Sequence, residues 1–107
     1  MVSARDFIYL SKVGYEGEEF IMGGKSVEFE GGPKSSKIVR AINGPGCQIV
    51  TPFPGDPNCC TFLWLMDCEY KGMMLQSILD IALPIAQTSF VECVKKLGAK
   101  LKEEGKF

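Results

Sequence analysis

The apolar residues of this 107-residue chain change their spacing near residue 72, and this change most constrains what the chain can fold into. Beyond that point they recur every three or four positions, as they do on one face of an amphipathic helix. The stripe consists of Leu75, Leu79, Leu83, Ala86, Phe90, Val94, Leu97 and Leu101. We therefore predict a helix over about residues 74–102, with a kink at Pro84, whose ring removes one backbone hydrogen bond.

The residues before this helix form short segments rich in β-forming side chains, and glycine or proline separates them. We expect antiparallel strands between about residues 5 and 70, in the segments 5–13, 18–24, 26–30, 37–42, 47–53 and 60–70. Because the sequence shows no internal repeat and no linker, we expect residues 1–107 to belong to a single α+β domain. A domain of this length buries roughly two-thirds of its unfolded surface.

The segment CTFLWLMDCEY, residues 60–70, is apolar on both faces of the strand that it predicts. A strand covered on one face alternates apolar and polar residues, since successive side chains point to opposite sides. One face carries Cys60, Phe62, Trp64, Met66 and Cys68, while Leu63 and Leu65 lie on the other. A single helix covers one face of a sheet. We infer that a partner chain, a further segment or a bound apolar ligand supplies the remaining cover.

Composition excludes several classes of function. The 12 Lys and Arg residues balance 13 Asp and Glu, so no overall field attracts nucleic acid. The absence of histidine removes the commonest general base and the usual nitrogen ligand of zinc. The five cysteines form no CxxC pair, which favours reduced thiols in a cytoplasmic protein and indicates no metal site. With no signal peptide and no apolar stretch of about 18 residues, we expect a soluble or at most peripheral membrane protein.

Three local patterns favour structural rather than functional interpretations. The motif GGKS, residues 23–26, ends like a phosphate-binding loop but lacks the earlier glycine and the following helix of that loop. The adjacent Cys59 and Cys60 have no cationic neighbour that would activate a thiol, so we expect ordinary packing in a strand. Asp67 and Glu69 share one predicted strand face, as an acid–base pair would need, but we expect a solvated strand end.

Four motifs together resemble one known family. They are RDFIYL, IVRAINGPGCQIVTPFPGDPN, TFLWLMDCEYKGM and ALPIAQTSFVECVKKL, in this order along nearly the whole chain. They resemble the C-terminal half of a START domain, a lipid-transfer family, and are closest to its sterol-binding branch. The resemblance implies a helix-grip fold, in which a curved antiparallel sheet packs on a long C-terminal helix and one lipid lies between them. Ser11 stands where the sterol-binding branch often has a buried arginine.

The resemblance implies non-enzymatic binding and intermembrane transfer of a lipid, with a sterol expected and no cofactor. Residues of the helix stripe would form one wall of the lipid site, namely Leu79, Leu83, Ala86, Phe90 and Val94. Tyr9 and Ser11 share a predicted strand face and would offer hydroxyl groups to the polar end of the lipid, and Met22 would line the wall.

The predicted helix is apolar on a second side near its N-terminus, and this side suggests a transient membrane contact. The candidate residues are Met73, Met74, Ile78, Ile81 and Ile85. Apolar residues on a helix surface bury at a bilayer interface, and the resemblance implies that the helix takes part in gating the lipid site. The alternative is that these residues cover another part of a complete domain.

Two other functions remain open at this stage. Polyketide cyclase-like enzymes share the helix-grip fold, although the helix stripe offers no ionisable group for catalysis. A half-domain would instead act as an interaction module that dimerises through its uncovered sheet. We expect the chain alone to self-associate, because open strand edges and apolar faces pair readily.

Overall fold

A computed structural model describes residues 3–107 of the protein. In this range the chain forms eight strands and one helix: β1 (Ala4–Asp6), β2 (Tyr9–Glu16), β3 (Glu19–Ser26), β4 (Ile38–Arg40), β5 (Ile42–Asn43), β6 (Gly46–Pro52), β7 (Cys60–Leu65), β8 (Cys68–Glu69) and α1 (Gln76–Glu103). The chain divides into two compact units, of which the first ends at Met73 and the second begins at Met74.

The main sheet contains four antiparallel strands in the order β2-β3-β6-β7. A tight turn joins β2 to β3, and Gly17 takes a positive φ of 59° there, which a residue without a side chain adopts at little cost. The loop between β6 and β7 follows the predicted PGDPN turn, and Gly55 has a φ of 81° within it. Alternating β-formers bounded by turn residues therefore produced the strands that the sequence predicts in this part of the chain.

Two small sheets accompany the main one. Strands β5 and β8 pair in antiparallel fashion, whereas β1 and β4 pair in parallel, with Ala4 opposite Ile38 and Asp6 opposite Arg40. The expectation that all strands are antiparallel is therefore wrong for β1 and β4. Both are short, and the long connection between them contains the β2–β3 hairpin, which is the length of chain that a parallel pair needs.

The predicted strand at 26–30 does not form, because β3 ends at Ser26. The Val27 amide still donates to the Ile8 carbonyl at 3.2 Å, but the next residues have no strand partner within the described chain. The Gly32 amide instead donates to the Phe29 carbonyl at 3.0 Å and closes a turn. Alternation of apolar and polar residues predicted a strand here, but a strand also needs a neighbour to pair with.

Three predicted strands are each divided in two. The segment 5–13 gives β1 and β2, the segment 37–42 gives β4 and β5, and the segment 60–70 gives β7 and β8. In each case the two halves pair with different strands, so the chain changes sheets at the break. Ala41 lies at one of these breaks and is the buried hydrophobic residue of the described chain, with 1% exposure.

An ion pair joins the parallel strands β1 and β4. Across the β1–β4 register, Arg40 Nε donates to Asp6 Oδ1 at 2.5 Å, and Arg40 Nη2 donates to Asp6 Oδ2 at 3.1 Å. This two-point contact lowers the pKa of Asp6 below its ordinary value, chiefly through the hydrogen bond from Arg40. The neighbouring Arg5 donates to the carbonyls of Tyr70 at 3.2 Å and Lys71 at 2.7 Å. The two charged residues of the RDF motif therefore join distant parts of the chain.

Helix α1 is 28 residues long, and its two ends differ. Leu75 is the N-cap residue and makes no side-chain capping bond, and the first turn contains no acidic residue. At the other end Gly105, with a φ of 71°, donates to Lys102, and Lys106 donates to Leu101, which together form a Schellman motif. Lys100 and Lys102 in the last turn also suit the helix dipole.

The helix agrees with its predicted bounds except at its start. Met73 and Met74 precede it, so their expected place on the helix is wrong. The chain at this point includes Lys71 and Gly72 with positive φ values of 49° and 67°, a conformation that no helix continues. Pro84 lies inside α1, and its predicted kink stays a prediction. By length and composition alone, α1 meets the criterion for a membrane span, which core helices of soluble domains also meet.

Candidate functional site

The register of the main sheet assigns its side chains to two faces, since residues paired across strands point to the same side. We call one of them the apolar face. Its members are Tyr9, Ser11, Val13, Tyr15, Phe20, Met22, Ser26, Gln48, Val50, Cys60, Phe62 and Trp64. The mixed face, on the other side, carries charged residues beside apolar ones. Its members are Leu10, Lys12, Glu16, Glu19, Ile21, Lys25, Cys47, Ile49, Thr51, Thr61, Leu63 and Leu65.

Two rows of side chains cross all four strands on the apolar face. The first row is Val13, Met22, Gln48 and Trp64, and the second is Tyr15, Phe20, Val50 and Phe62. Aromatic contacts support the second row, with ring centroids 5.4 Å apart for Tyr15 and Phe20 in an edge-to-face arrangement. Phe62 also approaches Trp64 at 6.2 Å, which links the two rows. The sheet thus presents a continuous apolar surface with one amide, that of Gln48, in it.

A cavity of about 150 Å³ opens beside the first row. Its lining consists of Tyr9, Ser11, Met22, Gly23, Gly24, Asn43, Gly44, Gly46, Cys47, Gln48, Trp64, Leu65, Met66 and Asp67. The backbones approach closely here, because a Cβ on Gly24 would lie 2.6 Å from the Leu10 oxygen and one on Gly46 would lie 2.7 Å from the Leu65 oxygen. Ligand pockets commonly enclose about 300–1,000 Å³. The cavity is therefore large enough for one end of such a ligand.

The structure brings three of the predicted site residues together. Tyr9, Ser11 and Met22 all line this cavity and share the apolar face. The predicted helix residues lie on α1, where Leu79 and Leu83 are half-buried and Ala86, Phe90 and Val94 are exposed. The second apolar side is also exposed, with exposed fractions of 39% for Ile78, 68% for Ile81 and 63% for Ile85. Of the two residues before α1, Met73 is 95% exposed and Met74 is half-buried.

Two polar residues of the cavity, Gln48 and Asn43, were not predicted from the sequence. Gln48 interrupts the apolar face in the middle of β6. It lies two positions before Val50 and therefore on the same face, so strand alternation in the sequence could have identified it. Asn43 was not singled out because it lies in the NGPGC bend. Its backbone N–H donates to Ser26 Oγ at 2.7 Å, and its side-chain Oδ1 accepts a hydrogen bond from Cys68 Sγ at 2.7 Å. These contacts fix the wall of the cavity.

Asp67 and Glu69 do not lie on one strand as expected. Asp67 lies at the break between β7 and β8 and lines the cavity, while Glu69 belongs to β8 and pairs with Ile42. The Asp67 carbonyl accepts from the Gly44 amide at 2.6 Å, and this bond holds the break in place. The sequence did not predict this break, because a strand that changes its pairing partner keeps the same local alternation of side chains.

The adjacent cysteines do not form a reactive pair. Cys59 lies outside any strand, contrary to expectation, and Cys60 begins β7. The Cys59 thiol donates to Asp56 Oδ2 at 3.2 Å, and this hydrogen bond to a carboxylate raises the pKa of Cys59. A thiol with a raised pKa is less reactive, because the thiolate is the nucleophile. Among residues 3–107 no three side chains of the His, Cys, Asp and Glu types form a group that could hold a metal ion.

Comparisons with known proteins agree on one family. The family model of the START domain matches residues 1–104. The mitochondrial steroidogenic acute regulatory protein of Danio rerio is 32% identical over 91 residues, which are 85% of this chain and 32% of that protein. Its counterpart in Mesocricetus auratus is 29% identical over 90% of this chain and 34% of that protein. The chain thus spans about a third of the length of these curated relatives.

A solved structure gives the same answer for the fold. Human StAR-related lipid transfer protein 5 superposes with a TM-score of 0.75 and 26% sequence identity, over 86% of this chain and 44% of that one. This likeness confirms the predicted fold class, a helix-grip arrangement built from an antiparallel sheet and a long C-terminal helix.

Proposed function

Because the chain belongs to the START domain family, we propose that it binds a lipid on the apolar face of its main sheet and carries it between membranes without chemical change. We propose that this lipid is a sterol. The names of the similar proteins support both steps, since they describe steroidogenic regulation and lipid transfer in those proteins. A soluble carrier in the cytoplasm that contacts membranes transiently fits this function.

The two apolar rows carry the proposal. They offer side chains from four strands to one flat, rigid, apolar molecule, which is the shape of a sterol ring system. At roughly 25 cal/mol per Å² of apolar area, enclosing such a molecule contributes on the order of 10 kcal/mol before the costs of association. No specific catalytic group is needed for this step, because burial alone supplies the free energy.

The cavity beside the first row would take the polar end of the lipid. Tyr9 and Ser11 offer hydroxyl groups there, and Gln48 offers an amide that both donates and accepts. Hydroxyl groups and an amide both donate and accept hydrogen bonds, so these groups match the hydroxyl of a sterol. We further propose that Leu79, Leu83, Ala86, Phe90 and Val94 contact the apolar body of the lipid, as the family resemblance implies.

A fluorescence experiment tests the proposal, because Trp64 is the single tryptophan of the chain and lies on the apolar face. A sterol with a conjugated triene accepts energy from an excited tryptophan close to it. We expect titration with this sterol to quench Trp64 emission and to excite emission from the sterol. Mass spectrometry of lipids that copurify with the chain would identify the natural ligand.

Two neighbouring residues of β7 supply a matched pair of variants. Phe62 is 37% exposed on the apolar face, and Leu63 is 48% exposed on the mixed face. We expect Phe62→Ser to weaken sterol binding by about tenfold, since it removes apolar contact area, and Leu63→Ser to change it less than about twofold. Equal losses in the two variants, with both folded by circular dichroism, would show that the lipid does not bind on the apolar face.

A further inference from the structure

Asp67 supplies the only carboxylate among the described residues that line the cavity. The hydroxyl and amide side chains of the lining are those of Tyr9, Ser11, Asn43 and Gln48. Within the described chain no lysine or arginine lines this cavity. Hydroxyl and amide groups both donate and accept hydrogen bonds, whereas a carboxylate only accepts them. Asp67 is therefore the residue of the lining that distinguishes one polar group of a lipid from another.

Contacts on both sides of Asp67 hold it at the cavity. Its carbonyl accepts a hydrogen bond from the Gly44 amide at 2.6 Å. The next residue, Cys68, pairs with Asn43 between β5 and β8 and donates its thiol to Asn43 Oδ1 at 2.7 Å. Asn43 and Gly44 themselves line the cavity. The same short segment thus forms the wall and positions the carboxylate.

The carboxylate of Asp67 lies directly against Gly44. A Cβ on Gly44 would lie 2.5 Å from Asp67 Oδ2 and 2.9 Å from Asp67 Cγ, so a side chain there would displace the carboxylate. Gly44 is not among the glycines with a positive φ, so the missing side chain provides space rather than backbone freedom. The ion pairs of residues 3–107 do not involve Asp67, so no cation of the described chain neutralises it.

We infer that Asp67 restricts the lipid of this site to one whose polar end donates a hydrogen bond and bears no negative charge. This inference rests on the proposed binding of a lipid on the apolar face, with its polar end in the cavity. A free sterol hydroxyl donates to the carboxylate and satisfies it. Asp67 is thus a residue that determines specificity.

Two other polar groups on the same sterol ring system meet different penalties. A ketone has no hydrogen to donate, so it leaves the carboxylate without a partner, although Tyr9, Ser11 and Gln48 can still donate to the ketone. A sulfate ester also has no donor, and it brings a second negative charge next to the first. The expected order of affinity is therefore hydroxyl, then ketone, then sulfate.

Competition binding to the 107-residue chain at one fixed salt concentration tests this order. The competitors are one sterol with a free hydroxyl, the corresponding ketone and the corresponding sulfate ester, each displacing the fluorescent triene sterol. We expect the hydroxyl form to bind about tenfold more tightly than the ketone and about a hundredfold more tightly than the sulfate. Each preference is a ratio measured on one protein, so a loss of folded chain does not change it.

Three variants assign the preferences to Asp67. Asp67→Asn keeps the size of the side chain, removes its charge and adds a donor, so both preferences should fall about tenfold. Asp67→Lys should bind the sulfate more tightly than the hydroxyl form. Glu69→Gln makes the same change of charge on β8, outside the lining of the cavity, and should leave both preferences within about twofold of the wild type.

The outcomes separate this inference from the proposed function. If Asp67→Asn keeps the preferences of the wild type, the shape of the cavity or another group sets them, and the inference is wrong. Equal affinity of the wild type for the hydroxyl and sulfate forms would also overturn it, while lipid binding itself stands. If the folded wild type binds none of the three ligands, the proposed function fails, and this inference fails with it.

Discussion

At the scale of single residues, one guanidinium group binds the segment that leads from the last strand to the helix. Arg5 donates to the carbonyls of Tyr70 and Lys71, which lie about 65 positions further along the chain. A Cβ on Gly72 would lie 3.1 Å from Arg5 Nη2, so the arginine also limits what the turn can contain. A lysine has no planar fork and could not bind both carbonyls in this way.

The neighbouring ion pair gives a prediction for the dependence of stability on pH. The pKa of Asp6 is lowered in the folded state, so its contribution is present above the ordinary pKa of 3.8 and is lost as the pH falls through the lowered value. We expect Asp6→Asn to be less stable than the wild type at pH 6, and the difference to shrink below about pH 4. Urea unfolding at both pH values measures it. The surface variant Glu28→Gln should differ from the wild type by the same free energy of unfolding at both pH values. If the difference between Asp6→Asn and the wild type also stays constant with pH, the Asp6–Arg40 ion pair does not contribute as proposed.

The contacts of these residues could not be predicted from the sequence, even though the RDF motif stood out in it. Asp6 meets Arg40 because β1 and β4 happen to pair in parallel, and this pairing depends on the whole path of the chain between them. Gln48 could have been found, because face alternation along β6 marks it as a polar residue in an apolar row. Local patterns predict faces, and long-range topology decides contacts.

At the scale of elements, periodicity predicted α1 and the four strands of the main sheet well. The prediction failed where a strand changes its partner, at the breaks before β2, β5 and β8, and where residues 27–30 have no partner at all. Alternation describes one strand and carries no information about its neighbours. The helix was easier to predict because its hydrogen bonds lie within one segment.

The uncapped start of α1 leads to a prediction about stability. Leu75 is 68% exposed and makes no capping bond, so Leu75→Asp costs little apolar contact and supplies an acceptor for the free amides of the first turn. We expect a gain of about 1 kcal/mol in the free energy of unfolding. Thermal and urea unfolding followed by circular dichroism measure it. Gly105→Ala should instead lower the free energy of unfolding, because its φ of 71° is strained for alanine. A loss of stability in Leu75→Asp would show that the missing cap does not limit the stability of the first turn.

The exposed second side of α1 leads to a prediction about transfer. Ile81 and Ile85 would bury in a bilayer interface, so Ile81→Asp combined with Ile85→Asp should slow sterol transfer between vesicles by about tenfold or more, while equilibrium sterol affinity stays within about twofold. Ala99→Asp, further along the same side of the helix, is the control for adding a carboxylate there. If affinity and transfer fall together, this side of α1 contacts the lipid or the rest of the protein.

At the scale of the whole molecule, the described chain has one buried hydrophobic residue, Ala41, beside a broad apolar face. A bound lipid would therefore provide much of the apolar burial that a domain of this size needs. The family membership and the fold could be predicted from four motifs in one order, because together they cover most of the chain. The roles of individual residues on α1 could not, because one stripe serves equally as a core face or a ligand wall.

Ligand binding should stabilise the whole chain. A ligand that binds the folded state alone adds about 2.7 kcal/mol to the free energy of unfolding when its free concentration is 100 times the Kd. We expect sterol delivered from cyclodextrin to raise the thermal midpoint in proportion to the logarithm of its concentration. Cyclodextrin without sterol is the control. A midpoint that does not move at saturating sterol would contradict specific binding to the folded chain.

The order of elements along the chain also matters during synthesis. Both apolar rows belong to strands that precede α1, so a ribosome completes the apolar face before any turn of the helix exists. The end of the helix with the Schellman motif is made last. The uncapped first turn is therefore synthesised before the end that carries stabilising caps. In that interval the nascent sheet exposes Phe62 and Trp64 among other aromatic residues, and such surfaces are what chaperones bind. Chaperone binding to this protein is thus expected to begin once β7 has been made, before synthesis of α1.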